Sequence, residues 1–176
     1  KKLGFSHVIM RVSPASIQVS SKMYFRMSTG QIDQSTSFAQ ETLFTPDMRL
    51  KEFSLLQEVM GSRQHIAAKA VGGKLVMDIA SSESSKEISL PFPPDSALSS
   101  TILLNLMREG LEVGKKGKQP VFIEPLRIFS DLQYEILRKE TVESEGKPVE
   151  TFVITQNIGG MEATMWVAPN GIVLRE

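Results

Sequence analysis

The chain has 176 residues, 41% hydrophobic, 23% charged and 7% aromatic, an ordinary globular composition for about one domain. Twenty Lys and Arg balance twenty Asp and Glu, so the zero net charge removes the basic field that a nucleic-acid reader needs. There is no Cys, and His7 and His65 are the only histidines, which excludes disulfide frameworks, thiol catalysis, iron–sulfur clusters, thiolate zinc and multi-histidine metal sites together.

Taken from the N-terminus, the chain alternates apolar and polar residues with the two-residue period of half-buried strands. The alternation is plainest where Met23, Phe25 and Met27 stand against Lys22, Tyr24, Arg26 and Ser28, and where Leu75, Met77 and Ile79 stand against Lys74, Asp78 and Ala80. Val8 to Val12, Ile17 to Val19, Phe38 to Phe44, Met48 to Leu56, Ile66 to Ala70 and Ile88 to Leu90 follow the same rule less strictly. Turn chemistry separates them at Ser13-Pro14, Thr29-Gly30, Pro46-Asp47, Gly61-Ser62 and Gly72-Gly73.

After Pro91-Phe92-Pro93-Pro94 the period changes. Asp95 and Ser96 offer an N-cap, and Leu98, Ile102, Leu103, Leu106 and Met107 fall on one helical stripe, predicting a helix over 96–109. Gly110 is then expected to take the left-handed position that ends the helix, bringing Leu111 back against Leu106. Strand alternation resumes over Val121 to Phe129, Tyr134 to Val142, Val149 to Ile158 and Met161 to Val167, with turns at Glu145-Gly146, Gly159-Gly160 and Pro169-Asn170-Gly171. The class implied is α+β: one large curved antiparallel sheet of about ten strands, mostly a meander, wrapped around a single helix. Helix and sheet would share one core, so residues 1–176 read as a single domain. The chain starts on Lys1-Lys2-Leu3-Gly4 and stops inside a strand-like Val173-Leu174-Arg175-Glu176, so it is expected to be excised from a longer protein. No apolar run approaches the ~18 to 20 residues of a membrane-crossing helix, and no transmembrane segment is expected.

Motifs of catalysis are missing from the sequence. A serine nucleophile needs a base in reach, and His7 and His65 read as exposed histidines without a partner. No G-x-S-x-G elbow or phosphate-binding glycine loop occurs, and Gly114-Lys115-Lys116-Gly117-Lys118 reads as a solvated turn. No catalytic, cofactor-binding or metal residue is assigned, and no cofactor is expected. Nine methionines are the one oddity. Met23, Met27, Met77, Met161 and Met165 fall on apolar strand phases, where flexible thioethers either fill gaps in a core or line a face for an acyl chain or another apolar small molecule.

Several stretches in order carry a family resemblance. They are Phe44-Thr45-Pro46-Asp47-Met48-Arg49-Leu50 with Phe53-Ser54, Gly73-Lys74-Leu75, Ile88-Ser89-Leu90-Pro91, and Leu111-Glu112-Val113-Gly114 leading to Pro120-Val121-Phe122 and Pro125. The last are Gly160-Met161-Glu162-Ala163-Thr164-Met165-Trp166-Val167 and Asn170-Gly171-Ile172-Val173-Leu174-Arg175-Glu176. This order resembles the N-terminal region of exported bacterial transglutaminase-like proteins of the cysteine-protease type, and more distantly a family of bacterial periplasmic domains. The resemblance implies a non-catalytic accessory or interaction domain, outside the cytoplasm, whose partner is a downstream papain-like catalytic domain or another protein. By analogy of fold it is also similar to periplasmic lipoprotein carriers, which makes a carrier of lipid or another apolar ligand the alternative.

Overall fold

The structure, a computed structural model, describes residues 4–29 and 32–175, with side chains outside 27–33. The chain forms two compact units, Lys1–Pro94 and Asp95–Glu176.

The first unit is an uninterrupted antiparallel meander of β1 (Gly4–Val12), β2 (Ile17–Thr29), β3 (Ile32–Phe44), β4 (Leu50–Val59), β5 (Ser62–Val71), β6 (Lys74–Ser81) and β7 (Ser85–Pro91). Each strand pairs with its neighbours in the chain, because tight turns leave it nowhere else to go. Two of those turns are two-residue hairpins with both central residues at positive φ, as the right-handed twist of the flanking strands demands: Met60 and Gly61 at 51° and 80°, Gly72 and Gly73 at 56° and 73°. Alternation places Ile17, Val19, Phe44, Phe53, Leu55, Ile66, Ala68, Leu75, Met77 and Ile79 in the core.

The second unit carries β8 (Ala97–Leu98), a 3-10 turn (Ser99–Thr101), α1 (Ile102–Glu109), β9 (Lys116–Ile123), β10 (Ile128–Ser144), β11 (Lys147–Ile158), β12 (Met161–Val167) and β13 (Val173–Arg175). Its sheet runs in the order β13-β12-β11-β10-β9-β8, antiparallel except for β8 beside β9. Hairpins at Glu145-Gly146 (φ 52° and 74°) and Gly159-Gly160 (φ 60° and 89°) repeat the device of the first unit. Ile102 and Leu106 of α1 pack into a cluster with Val121, Leu132, Ile136, Phe152, Ile154, Met165 and Val167, so the helix covers the apolar face of this sheet.

The expected class, α+β with dominant antiparallel sheet and one helix, is the class observed. Four details differ. Thirteen strands occur among the described residues, in two hydrogen-bonded sheets, where the alternation suggested about ten in one. The α-helix begins at Ile102 and not near Ser96, because Ala97 and Leu98 are extended and pair with Val121 and Phe122. Nor does Asp95 or Ser96 cap it. The 3-10 turn before it is tied from outside by the carboxylate of Glu124, in the turn after β9, which accepts the backbone N–H (3.1 Å) and hydroxyl (2.5 Å) of Ser99 and the same groups of Ser100 (3.3 and 2.5 Å). Glu124 is fully buried, and these donors supply the hydration it gives up. Finally, Gly110 has φ 88° but ψ 135°, a conformation that only glycine adopts freely, in place of the left-handed helical one. Its N–H still reaches the Met107 carbonyl at 3.2 Å, and Leu111 still packs against the cluster that contains Leu106.

Two measurements check this account. Glu124→Ala removes the acceptor shared by the half-buried donors of Ser99 and Ser100 and is expected to cost about 3 kcal/mol in denaturant unfolding; a loss within noise would show that the tie is not structural. Met60→Asn, which suits a left-handed position before glycine, is expected to raise stability by about 0.5 to 1 kcal/mol, and a destabilised variant would contradict the turn assignment.

Candidate functional site

Cross-strand register carries the apolar face of the first sheet past its buried centre. Val12 stands opposite Ile17, Met10 opposite Val19, Val8 opposite Ser21, Ser6 opposite Met23 and Gly4 opposite Phe25, all on one face. The inner part of that row is buried, with Val19 at 2% exposure. The margin is open: Val8 is 46% exposed, Met10 48%, Val12 67%, Met23 45% and Phe25 36%. Phe25 leans on Phe38 of β3, ring centroids 6.5 Å apart, which extends the apolar margin across three strands. Side chains of this size, clustered along one face and left in solvent, are the mark of a surface that meets something.

The opposite face of the same sheet is mixed. A hollow of about 660 Å³ opens there, lined by the apolar Leu43, Ala67, Val71 and Val76 beside Gln18, Glu41, Glu52, Ser54, Lys69 and Asp78. Glu41 already accepts hydrogen bonds from the Ser20 hydroxyl (2.6 Å) and the Gln18 amide (3.3 Å). Beside it Ser54 Oγ and His65 Nε2 are 2.8 Å apart, joined diagonally across β4 and β5. His65 is exposed, as the sequence suggested, but it has a partner that the sequence did not reveal. A serine hydroxyl turns nucleophilic when its imidazole is steadied by a carboxylate on the other ring nitrogen. None of the described side chains bonds His65 Nδ1, so the pair reads as a surface hydrogen bond. His7 lies exposed in the edge strand β1.

In the second unit a hollow of about 700 Å³ lies over Lys116, Lys118, Gln133, Glu135, Asn157 and Glu162. Its charges are largely spent on one another, Lys116 on Glu135 at 3.0 Å and Lys118 on Asp131 at 2.8 Å. Tyr134 lies over Gly117, where a Cβ would come within 2.5 Å of the ring. Burial, and after it the Glu109 carboxylate, pushes the Tyr134 hydroxyl pKa up from 10.0. Further along β10, the Arg138 guanidinium beside Glu140 holds that carboxyl below its ordinary range. Among the described residues no group of three potential metal ligands converges, and no helix is long and apolar enough to cross a membrane.

The five methionines singled out in the sequence are dispersed. Met23 stands on the open margin of the first sheet, while Met77, on the same face four strands away, is fully buried. Met165 is buried in the second unit's cluster and Met161 is exposed at the start of β12. Met27 belongs to β2, but its side chain lies outside the described residues. None of the other four lines either hollow. The residues that sequence reasoning passed over are Val8, Met10 and Val12. Their signal was present in the alternation of β1, which among the described residues pairs with β2 alone.

No family model matches the chain, and neither does any curated protein sequence. Solved structures share its fold, among them these two. One is a β-barrel-like protein of domain of unknown function DUF1849 from Brucella abortus, 15% identical, TM-score 0.67, aligned over 97% of this chain and 79% of that one. The other is a DUF1089 family protein from Pseudomonas aeruginosa, 14% identical, TM-score 0.54, aligned over 97% of this chain and 88% of that one. At such identities the likeness is one of fold.

The Tyr134 environment gives a pH dependence with a definite sign. Its folded pKa is raised above 10.0, so its contribution to stability is complete below about pH 10 and is lost as pH rises through the folded value. Unfolding titrations from neutral to alkaline pH should therefore show a steeper loss for the wild type than for Tyr134→Phe. Parallel curves would remove Tyr134 as a cause.

Proposed function

We propose that the chain is a non-catalytic binding module that presents the open apolar margin of β1 and β2 to a protein partner. The observation that carries this reading is the exposure of Val8, Met10, Val12, Met23 and Phe25 on one face of a regular sheet. Leaving such side chains in water gains a monomer nothing, whereas a partner that covers them recovers about 25 cal/mol per Å² of apolar area. The likeness to β-barrel-like domains is compatible with a binding or accessory role. An accessory role beside a papain-like catalytic domain, outside the cytoplasm, belongs to the same proposal, and what supports it is the ordered set of turn and strand motifs quoted from the sequence.

A second reading, a carrier of lipid or another apolar ligand, is favoured by one specific observation. Met10 and Met23 share the open margin with Phe25, and flexible thioethers beside an aromatic ring adapt well to an acyl chain.

The double substitution Met10→Gln with Phe25→Glu tests both. These side chains are exposed, so the variant should unfold within about 1 kcal/mol of the wild type while losing its binding of anilinonaphthalene sulfonate. Undiminished dye binding would remove the margin as the apolar site. Native mass spectrometry of the protein as purified then separates the readings: a retained acyl-chain mass favours the carrier, and a clean protein mass with saturable dye binding favours the docking surface.

A further inference from the structure

We infer that β1 is a self-pairing edge through which two copies of this chain join their first sheets, antiparallel, about a two-fold axis at Val8. The inference rests on the docking reading above and names its partner. The meander leaves two edges, and they are built differently. β7 places Lys86 and Glu87 side by side and ends on Pro91, features that discourage strand addition. β1 has neither proline, lysine nor carboxylate over Gly4–Val12, and its register with β2 runs from Gly4 opposite Phe25 to Val12 opposite Ile17 without a bulge. Among the described residues its backbone pairs with β2 alone, so the outward N–H and C=O groups form a flat template nine residues long. Both faces of the strand are open as well, since Phe5 is 51% and Ile9 39% exposed on the side opposite Val8 and Met10.

The sequence of β1 favours a second copy of itself as the added strand. With the axis at Val8 all nine residues find a partner: Gly4 meets Val12, Phe5 meets Arg11, Ser6 meets Met10, His7 meets Ile9, and Val8 meets Val8. The one arginine of each strand is thus set against the ring of Phe5, an arrangement this chain already uses where Arg175 lies 4.5 Å from the Trp166 ring centre. Moving the axis one residue to Ile9 sets His7 opposite Arg11 and pushes Phe5 past the end of the partner strand. The centred register also keeps Val8, Met10 and Val12 of both copies on one side, so the apolar margins become continuous across the junction.

Sedimentation velocity over a range of protein concentrations reads the result. The wild type is expected to show a concentration-dependent dimer, Val8→Lys to be monomeric because two ammonium groups meet on the axis, and Phe5→Glu to stay dimeric, with greater salt sensitivity, by pairing with Arg11. A wild type that is monomeric at every concentration overturns the inference and leaves the edge to a strand of some other protein. So does a dimer that survives Val8→Lys. A dimer lost in the Met10→Gln, Phe25→Glu variant but kept in Val8→Lys would move the contact from the edge to the face. Dye binding by a strictly monomeric protein would sink self-pairing while leaving the docking face intact.

Discussion

The order of the second unit depends on one buried carboxylate. Glu124 sits in the turn after β9 and gathers two backbone N–H groups and two hydroxyls from Ser99 and Ser100. A helix start presents N–H groups without intrahelical partners, and a charge removed from water needs donors; each meets the other's need. Because the carboxylate comes from the sheet, the tie fixes more than a helix end. It holds the 3-10 turn against β9, next to the short parallel pairing of Ala97 and Leu98 with Val121 and Phe122. From there α1 runs so that Ile102 and Leu106 fall onto Leu132, Ile136, Ile154 and Met165. Thr101 adds a hydroxyl bond to the Leu98 carbonyl at 3.1 Å, closing the same corner.

The first unit is held differently, by repetition. Alternating side chains and hairpins at positive φ specify each pairing locally, and a slip of one residue would turn the whole apolar face outward. Polar groups on the buried face are kept in pairs: the Gln40 amide donates to Thr42 at 3.0 Å, and Gln57 donates to Gln64 at 2.9 Å. Among the described residues the meander does not close on itself, and β1 keeps one unpaired side, with Arg11 as its single formal charge and no proline, lysine, carboxylate or bulge. The apolar residues exposed on the adjoining margin, Val8, Met10, Val12, Met23 and Phe25, lie along this same edge.

How much of this was legible in the sequence depended on whether its cause was local. Strands such as Leu75, Met77 and Ile79 were readable because alternation is a property of neighbours, and Gly72-Gly73 or Gly159-Gly160 because glycine tolerates the φ that the turn imposes. The helix stripe was visible in Ile102 and Leu106 for the same reason. Its start was not: Ala97 and Leu98 look helical until β9 offers them a strand, and the tie comes from Glu124, 25 residues from Ser99. The hydrogen bond of Ser54 to His65 was hidden too, since diagonal neighbours on adjacent strands depend on register. The phase of a methionine tells which face it occupies and not whether that face is covered. Met77 and Met23 share a face and differ completely in burial.

The connectivity of the two sheets also bears on the order in which they assemble. In the first unit every strand finds its partner across the turn that precedes or follows it, so hairpins can close one after another as the chain emerges, each paying little loop entropy. The second unit contains one link of another kind. β8 must wait for β9, on the far side of the helix, before Ala97 can lie beside Val121. That parallel contact encloses α1 within its loop, and Glu124, just beyond β9, arrives with it. The 3-10 turn that leads into α1 is therefore tied down only with β9 in place, so the short parallel pair is the one non-local contact on which the helix's entry depends.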